Sequence, residues 1–431
     1  MQKVTETASL SSQETQRDTS GFLKIWLPSF LAFLANVLGT LSINWWLAST
    51  PGGSGVLGIT VGIADLIAVI AVVLFAGLID RSDRPTVLNG IKVVMACGLV
   101  ILVPVYLMPT VSIWLILVAA SSYFVIESTN ELYNASLETT LADLSPSNWP
   151  SSRTAALMRL QLQVARLIAP LISGSLITIG FLWSLPILGI IGISITIGSL
   201  LLWSHIIRSH HVAKAQLKSD TKSSKRLFQS LFSNNGEAFQ WIKRQPTLAF
   251  MLVVSVLLNL IVFPFYTLFP AFLKELNVPN QAVVFGLGSS AYGGGMLFAT
   301  GLFTLFKIRF QRSVAIVSFM ILGICCTLGI ITLFPTPFVL IIAMGTIGMM
   351  FLVVTAVVGG IWLDLTPADV RVRVFSLRRL VGYVSIPLGT GLMGVAGALI
   401  GFALVLRILI GIILVSLVLT LWIVYSRRVK R

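Results

Sequence analysis

The chain has 431 residues, of which 56% are hydrophobic and only 10% are charged, and its mean hydropathy is +0.95. These values exclude an ordinary soluble domain, because 30 basic and 15 acidic side chains cannot coat a soluble core of this size. The net charge of +15 lies in short segments between apolar runs and at the C-terminus, without interleaved aromatic residues, which argues against a nucleic-acid partner. The composition therefore predicts a protein embedded in a lipid bilayer.

The N-terminal segment, residues 1–21, is rich in Ser, Thr and Gln and lacks an apolar stretch. We predict a disordered cytoplasmic tail here rather than a cleaved signal peptide. The three cysteines lie in apolar runs without metal-ligand spacing, and His205, His210 and His211 fall together in one polar segment. We interpret the histidines as part of a solvated loop rather than a metal-binding or pH-sensing cluster, and we predict no metal site and no cofactor.

Apolar runs of about 20 residues predict helices that cross the hydrocarbon core of a bilayer. In chain order, they fall into two groups of six that are separated by a long polar link. The first group covers residues 22–48, 55–79, 88–108, 111–137, 156–181 and 184–206, and the second covers 247–273, 283–306, 313–334, 337–363, 374–397 and 402–425. The predicted fold is an all-α integral membrane protein with twelve transmembrane helices in two pseudo-symmetric bundles.

The predicted domains follow from these spans: two six-helix bundles over 22–206 and 247–425, a link over 207–246 and a basic tail over 426–431. Aromatic and aliphatic residues recur on a broken amphipathic pattern in the second part of the link, which predicts a short helix at the membrane surface. Lys and Arg concentrate in the loops of one side, whereas the loops of the other side are nearly free of them, with Lys274 as the main exception. This bias predicts that both termini are cytoplasmic.

The two bundles share short sequence matches at equivalent places. The segment DLSP (143–146) follows the fourth span and DLTP (364–367) follows the tenth. VARLIAPLISG (164–174) and VGYVSIPLGTG (381–391) then align Pro170 and Gly174 with Pro387 and Gly391, which we predict to be helix-packing positions. Such internal repeats are typical of secondary transporters whose substrate site lies between the halves.

Charged side chains inside the predicted spans are costly in lipid and are therefore candidates for function. Asp65 and Arg166 are predicted near the bilayer midplane in spans two and five, and Glu127 and Glu131 lie one turn apart in span four. We predict that Asp65 and Glu127 carry protons, and that Arg166 faces a central cavity or a carboxylate. For Arg159, two turns before Arg166, a purely structural ion pair with Glu131 stays an equal alternative.

The loop between spans two and three holds a polar cluster in the sequence FAGLIDRSDRPTVL (75–88). It resembles the loop motif of the major facilitator superfamily, G-x-L-a-D-R-x-G-R-x-x-x-L, although Ala76 and Asp83 replace the glycines. The form DRxDR, together with PADVRVRVFSL (367–377) and NNGEAFQWIKRQPTL (234–248), is similar to the macrolide-efflux and enterobactin-exporter branch of that superfamily. The positions that fit the loop motif are Leu78, Asp80, Arg81, Arg84 and Leu88.

This resemblance implies a cytoplasmic latch between the halves. Asp80 would accept hydrogen bonds from the N-terminus of span eleven, whose first turns carry Arg371 and Arg373, because a helix N-terminus attracts an anion. Arg84 would pair with a carboxylate of span four, with Glu131 or Glu138 as candidates. The alternative is a plain basic loop, which does not require the aspartates.

The segment APLISG (169–174) resembles the G-P-x-x-G-G motif of antiporter-type exporters. The resemblances imply a monomeric secondary transporter of the plasma (inner) membrane that exports a bulky amphiphilic molecule, such as a macrolide-like drug or a siderophore, in exchange for protons. A solute importer of the same fold and a non-transporting receptor are the alternatives. No phosphate-binding loop or Ser-His-Asp arrangement is present, so we predict neither an enzyme nor direct use of ATP. Aromatic residues suited to such a substrate are Trp45, Trp46, Phe263, Phe265, Tyr266 and Phe269.

Overall fold

The computed structural model describes residues 19–81, 84–102, 112–143, 151–178, 235–306 and 313–429, with the isolated positions 105, 108, 194, 197 and 198. Within these ranges every regular element is a helix. The helices are α1 (Thr19–Ala48), α2 (Gly53–Arg81), α3 (Arg84–Ile101), α4 (Ile113–Asp143), α5 (Ser151–Thr178), α6 (Asn235–Arg244), α7 (Pro246–Glu275), α8 (Gln281–Phe306), α9 (Ser313–Leu333), α10 (Pro337–Leu365), α11 (Ala368–Ile400) and α12 (Phe402–Val429).

Ten of the described helices are long and apolar enough to cross a membrane, and the shorter apolar segment Val87–Ile101 of α3 occupies the predicted third span. The sixth predicted span, 184–206, lies almost entirely outside the described residues. An all-α membrane protein is thereby confirmed, and the described helices follow the predicted order of the other spans.

The short helix α6 lies within the predicted link. Its Ile242 is buried and its Phe239 is exposed, so the helix has an apolar side that packs on the protein and a second side that does not. It contacts α7 and α11. The apolar positions that precede it in the link, Phe228, Leu231 and Phe232, lie outside the described residues.

Tight connections join consecutive helices at one end of the molecule. They comprise residues 49–52, 276–280, 334–336 and the single residue Gly401, which has φ +85 and separates α11 from α12. At α10, the Thr336 hydroxyl accepts a hydrogen bond from the Val339 amide, and Pro337 occupies the first helical position. We call this end the outer end, after the predicted orientation of the chain.

Two antiparallel helix crossings connect the N-terminal helices to the C-terminal ones, and the first joins α5 to α8. A Cβ atom added to Gly286 would lie 2.7 Å from the Gly174 Cα and 2.9 Å from the Pro170 carbonyl oxygen. Deeper along the crossing, the Ser290 hydroxyl donates to the Leu167 carbonyl at 2.8 Å. The two backbones therefore touch, and only glycine fits at this contact.

The second crossing joins α2 to α11 and repeats this arrangement. A Cβ atom on Gly62 would lie 2.8 Å from the Pro387 carbonyl oxygen and 3.1 Å from the Gly391 amide nitrogen. One turn towards the outer end, a Cβ on Gly58 would lie 2.6 Å from the Gly394 Cα. The two copies of the Pro-x-x-x-Gly motif thus lie at equivalent crossings, each with its proline carbonyl against a glycine of the partner helix.

Candidate functional site

Three carboxylates of the N-terminal helices come together in the interior. Asp65 lies on α2, and Glu127 and Glu131 lie on successive turns of α4, which packs against α2. All three side chains are half-buried. Electrostatic repulsion from both glutamates acts on the Asp65 carboxyl, and Glu131 likewise repels Glu127. We call these three residues the acidic cluster.

A row of amides extends the acidic cluster along α4. The Asn130 side-chain amide donates to Glu127 Oε1 at 3.5 Å, and the Asn134 amide donates to Asn130 Oδ1 at 3.4 Å. The buried phenol of Tyr123, one turn before Glu127, lies in the electrostatic field of Asp65 and Glu127. α4 therefore carries a polar stripe that reaches beyond the two charged residues identified in its sequence.

Arg166 of α5 stands between the acidic cluster and the C-terminal helices. Its charge attracts Glu127, and it also acts on the phenol groups of Tyr266 and Tyr292. Its own backbone lies against α8, because a Cβ on Gly293 would come within 2.8 Å of the Arg166 carbonyl oxygen. Arg166 is half-buried, and its backbone lies where α5 of the N-terminal helices meets α8.

The C-terminal helices place an aromatic group opposite Arg166. The rings of Tyr266 on α7 and Tyr292 on α8 have centroids 4.8 Å apart, and the Tyr292 and Phe351 rings are 6.5 Å apart. Phe263 packs edge-on against Phe351 with centroids 5.1 Å apart. The Tyr292 hydroxyl is buried and has no hydrogen-bond partner among the described residues. These four residues, the aromatic group, span α7, α8 and α10.

The aromatic residues that the sequence suggested for substrate contact lie in three different environments. Tyr266 and Phe263 belong to the aromatic group, whereas Phe265 and Phe269 are fully buried and pack edge-on with centroids 5.9 Å apart. Trp45 and its neighbour Trp46 are buried near the outer end of α1. Phe265 and Phe269 are therefore core residues in this structure. The sequence could not show this, because an apolar helix such as α7 gives no periodicity that separates a core side from a cavity side.

Most side chains of the predicted latch lie outside the part of the chain that the structure describes. Of the motif positions only Leu88 has a described side chain, and it is fully buried beside Met95, Tyr133 and Leu137. Several other predicted residues also have side chains outside the described part of the chain or lie wholly outside it: Leu78, Asp80, Arg81, Arg84, Glu138, Arg159, His205, His210, His211, Arg371 and Arg373.

The sequence reasoning missed several cations inside the predicted spans, and two of them lie against aromatic rings. Lys92 of α3 is fully buried, with its Nζ 5.6 Å from the centroid of the Tyr133 ring. Arg378 of α11 lies over Trp362 and Phe375, with its guanidinium carbon 5.4 Å and 5.9 Å from the two ring centroids. Both lie in predicted apolar spans. The criterion that selected Arg166, a charged side chain inside a predicted span, therefore applies to them as well.

The acidic cluster does not have the geometry of a metal site. Across the described ranges, no group of three His, Cys, Asp or Glu side chains is placed to hold a metal ion. The side chains at the centre supply carboxyl groups, one guanidinium, amides and aromatic rings.

The family model of the major facilitator superfamily matches residues 25–390. Solved structures of similar fold include a mutant of the nucleoside transporter NupG, with a TM-score of 0.68 and 15% identity, covering 93% of this chain and 99% of that one. A bacterial homologue of the iron transporter ferroportin in an inward-facing state has a TM-score of 0.69 and 16% identity, covering 93% and 98%.

A POT family transporter in complex with 5-aminolevulinic acid gives a TM-score of 0.68 at 11% identity, covering 96% of this chain and 97% of that chain. No curated protein sequence matches the chain. Identities this low establish a shared fold and leave the cargo open. The match to the family model covers most of the chain, which therefore belongs to the major facilitator superfamily and is a multi-pass membrane transporter of that type.

Proposed function

We propose that the protein is a monomeric, proton-coupled exporter of a bulky amphiphilic organic molecule in the plasma membrane, with both termini cytoplasmic. The acidic cluster of Asp65, Glu127 and Glu131, with Arg166 beside it, is the observation that carries this proposal. Three carboxyl groups this close repel one another when they are ionised, and proton binding relieves that repulsion. Asp65 and Glu127 are the proposed proton carriers.

The cargo is proposed from the aromatic group and from the branch resemblance. The half-buried Phe263 and Tyr266 offer ring faces and edges to an apolar body. Tyr292 and Phe351 are buried in this structure, and the Tyr292 hydroxyl would offer a hydrogen bond to an oxygen of the cargo once the centre opens. The sequence DRxDR is similar to that of the macrolide-efflux and enterobactin-exporter branch, which favours a macrolide-like drug or a siderophore.

The proposed transport cycle alternates access to the centre from the two sides of the membrane. Both helix crossings bring backbones into contact in the outer part of the molecule, where α2 and α8 begin and α5 and α11 end. The two bundles, 22–206 and 247–425, would separate there and close at the cytoplasmic end. The Asp80 latch, with Arg371 and Arg373, would hold that second state.

Two other functions use the same fold. An importer would move its cargo together with protons, and a receptor would bind a ligand without moving it. The acidic cluster argues against a receptor, because half-buried carboxylates in a membrane are costly and a receptor does not need them. The direction of transport rests on the branch resemblance and on APLISG (169–174).

The decisive experiment is transport by purified protein in proteoliposomes with an imposed pH gradient, using radiolabelled erythromycin and radiolabelled iron-free enterobactin as probes. We expect uphill movement of a probe against the proton flow for the wild type. Asp65→Asn should abolish uphill movement and retain downhill exchange, because only the step that takes up a proton is removed. Asp364→Asn is the matched control, since Asp364 is exposed at the end of α10.

Each outcome separates the alternatives. Movement of a probe in the same direction as protons would identify an importer, and saturable binding without flux would identify a receptor. If Asp65→Asn pumps as well as the wild type, the proton carrier lies elsewhere.

A further inference from the structure

The last two residues of α7 carry opposite charges and contact different groups of helices. Lys274 reaches α1 of the N-terminal helices, and Glu275 reaches the start of α12. From this geometry we infer that Lys274 is the outer gate residue of the transporter, held in place by Glu275, and that its contacts with α1 must break whenever the outer end opens. This inference goes beyond the proposed function, because it does not depend on the cargo or on protons.

The contact with α1 combines three interactions. Lys274 Nζ donates to the Trp45 carbonyl oxygen at 3.0 Å and to the Ser49 hydroxyl, and it lies 4.2 Å from the centroid of the Trp45 ring. Trp45 is in the last turn of α1, where carbonyl groups lack helical partners and the helix dipole favours a cation. The ammonium group therefore caps α1 and also makes a cation–π contact.

Glu275 fixes the end of α7 to the C-terminal helices. Its Oε1 accepts a hydrogen bond from the Phe402 amide at 2.7 Å, at the first residue of α12. In the adjoining turn, Asn277 and Asn280 have φ values of 48 and 53, and the Val278 amide donates to the Leu273 carbonyl at 3.1 Å. Lys274 thus extends from a helix end that is hydrogen-bonded to α12. When α1 and α7 separate, Lys274 stays with the C-terminal helices and its contacts with α1 break.

The gate lies where the two groups of helices meet at the outer end. α1 ends at Ala48 and α7 ends at Glu275. Lys274 holds these two ends together by donating to the carbonyl of Trp45, which lies 229 positions earlier in the chain. The two glycine crossings lie deeper, between α5 and α8 and between α2 and α11. Lys274 supplies a charged contact that water can replace when the outer end opens, whereas the crossings are backbone contacts.

The test measures the opening of the outer end directly, without cargo. Spin labels are attached at Pro51→Cys and Phe334→Cys, in the connections that follow α1 and α9, after Cys97, Cys325 and Cys326 have been replaced by Ala. Distance distributions are recorded by pulsed electron paramagnetic resonance in lipid nanodiscs. Lys274→Met keeps the length of the side chain and removes its charge. Loss of a charge-assisted hydrogen bond should raise the ratio of open to closed populations by about tenfold or more.

The matched control is Arg407→Met. Arg407 donates to the Thr332 carbonyl at 3.3 Å, which is also a cation-to-carbonyl contact near the outer end, but both residues belong to the C-terminal helices. We expect its distance distribution to equal that of the wild type. Lys274→Arg, which keeps the charge, should stay close to the wild type, and Ser49→Ala should shift the ratio in the same direction as Lys274→Met but less.

The inference is overturned if Lys274→Met leaves the distances unchanged, or if Arg407→Met shifts them equally. Should Lys274→Met fail to fold, Ser49→Ala decides, and an unchanged distribution in that variant counts against the gate. A transport-inactive wild type would leave this test intact, so failure of the gate and failure of the proposed export are distinguishable.

Discussion

The N-terminal helices α1–α5 and the C-terminal helices α7–α12 bring different chemistry to the centre of the molecule. Among the described residues, the central carboxylates come from α2 and α4, whereas α7, α8 and α10 bring tyrosine and phenylalanine rings. Similar folds in the two halves therefore bring unlike side chains to the centre. If this division is functional, changes in the acidic cluster should alter energy coupling, and changes in the aromatic group should alter the choice of cargo.

The largest effect is expected from Glu127→Gln, which removes a central charge while the amide keeps its shape. We expect uphill transport in proteoliposomes to fall to the level of passive leak and to lose its dependence on pH, because a proton-binding group is gone. The order of affinities among different cargoes should stay as in the wild type. A variant that keeps uphill transport but changes its cargo preference would contradict the division between the halves.

A smaller loss is expected from Arg166→Ala. Without the guanidinium, repulsion within the acidic cluster is no longer offset, so its protons should be released only at higher pH. We expect the pH profile of uphill transport to shift upward and its rate at neutral pH to fall about tenfold, which corresponds to about 1.4 kcal/mol. Arg166→Lys should restore part of the rate, since a point charge remains without the planar donor geometry. An unchanged pH profile in the Ala variant would remove Arg166 from coupling.

The crossings that join the halves are tested by Gly286→Ala. The added methyl group would overlap the Gly174 backbone, and overpacking of this kind costs about 1–3 kcal/mol. We expect a lower melting temperature in detergent and a lower transport rate. Gly301→Ala on the same helix is the matched control, because nothing lies within 4 Å of its added Cβ, and helix propensity alone should leave it at least as stable as the wild type. Equal destabilisation by both changes would show that the close backbone contact at Gly286 does not contribute to stability.

The smallest effect is expected from Tyr292→Phe. The ring and its contacts with Tyr266 and Phe351 remain, and only a hydroxyl without a described partner is lost. If that hydroxyl binds the cargo, affinity should fall about fivefold, or roughly 1 kcal/mol, without a change in pH profile. Tyr133→Phe, in the N-terminal helices, should leave the affinity unaltered. A shifted pH profile with unaltered affinity would place Tyr292 with the coupling residues instead.

The order and class of the helices could be predicted from the sequence, but their ends could not be predicted equally well. α11 begins at Ala368, six residues before the predicted start of its span, and α5 begins at Ser151, five residues before. Both extensions are polar, with Arg371 and Arg373 in one and Arg153 in the other. Apolar run length measures the hydrocarbon thickness of the bilayer, and a helix can continue past it into the headgroup region.

The candidate site could likewise be predicted only in part from the sequence. Asp65, Glu127, Glu131 and Arg166 could be selected in advance, because charges in apolar spans are rare and stand out in the sequence. The aromatic group could not be separated from core residues such as Phe269, because phenylalanine is compatible with lipid, core and cavity alike. The contact of Lys274 with Trp45 joins residues 229 positions apart, and only the packing of α7 against α1 reveals it.

The two glycine crossings also have a mechanical consequence. Helices that interlock through side chains must change rotamers before they can move past each other, and each such change has its own barrier. At Gly58 with Gly394, and at Gly174 with Gly286, neither helix presents a side chain to the other. At these glycine positions one helix can roll or slide over the other without a rotamer change, whereas the Ser290–Leu167 hydrogen bond deeper in the α5–α8 crossing must break. Relative motion of the halves would then be limited by the polar contacts between them and by the surrounding lipid, rather than by interlocked side chains at the glycine positions.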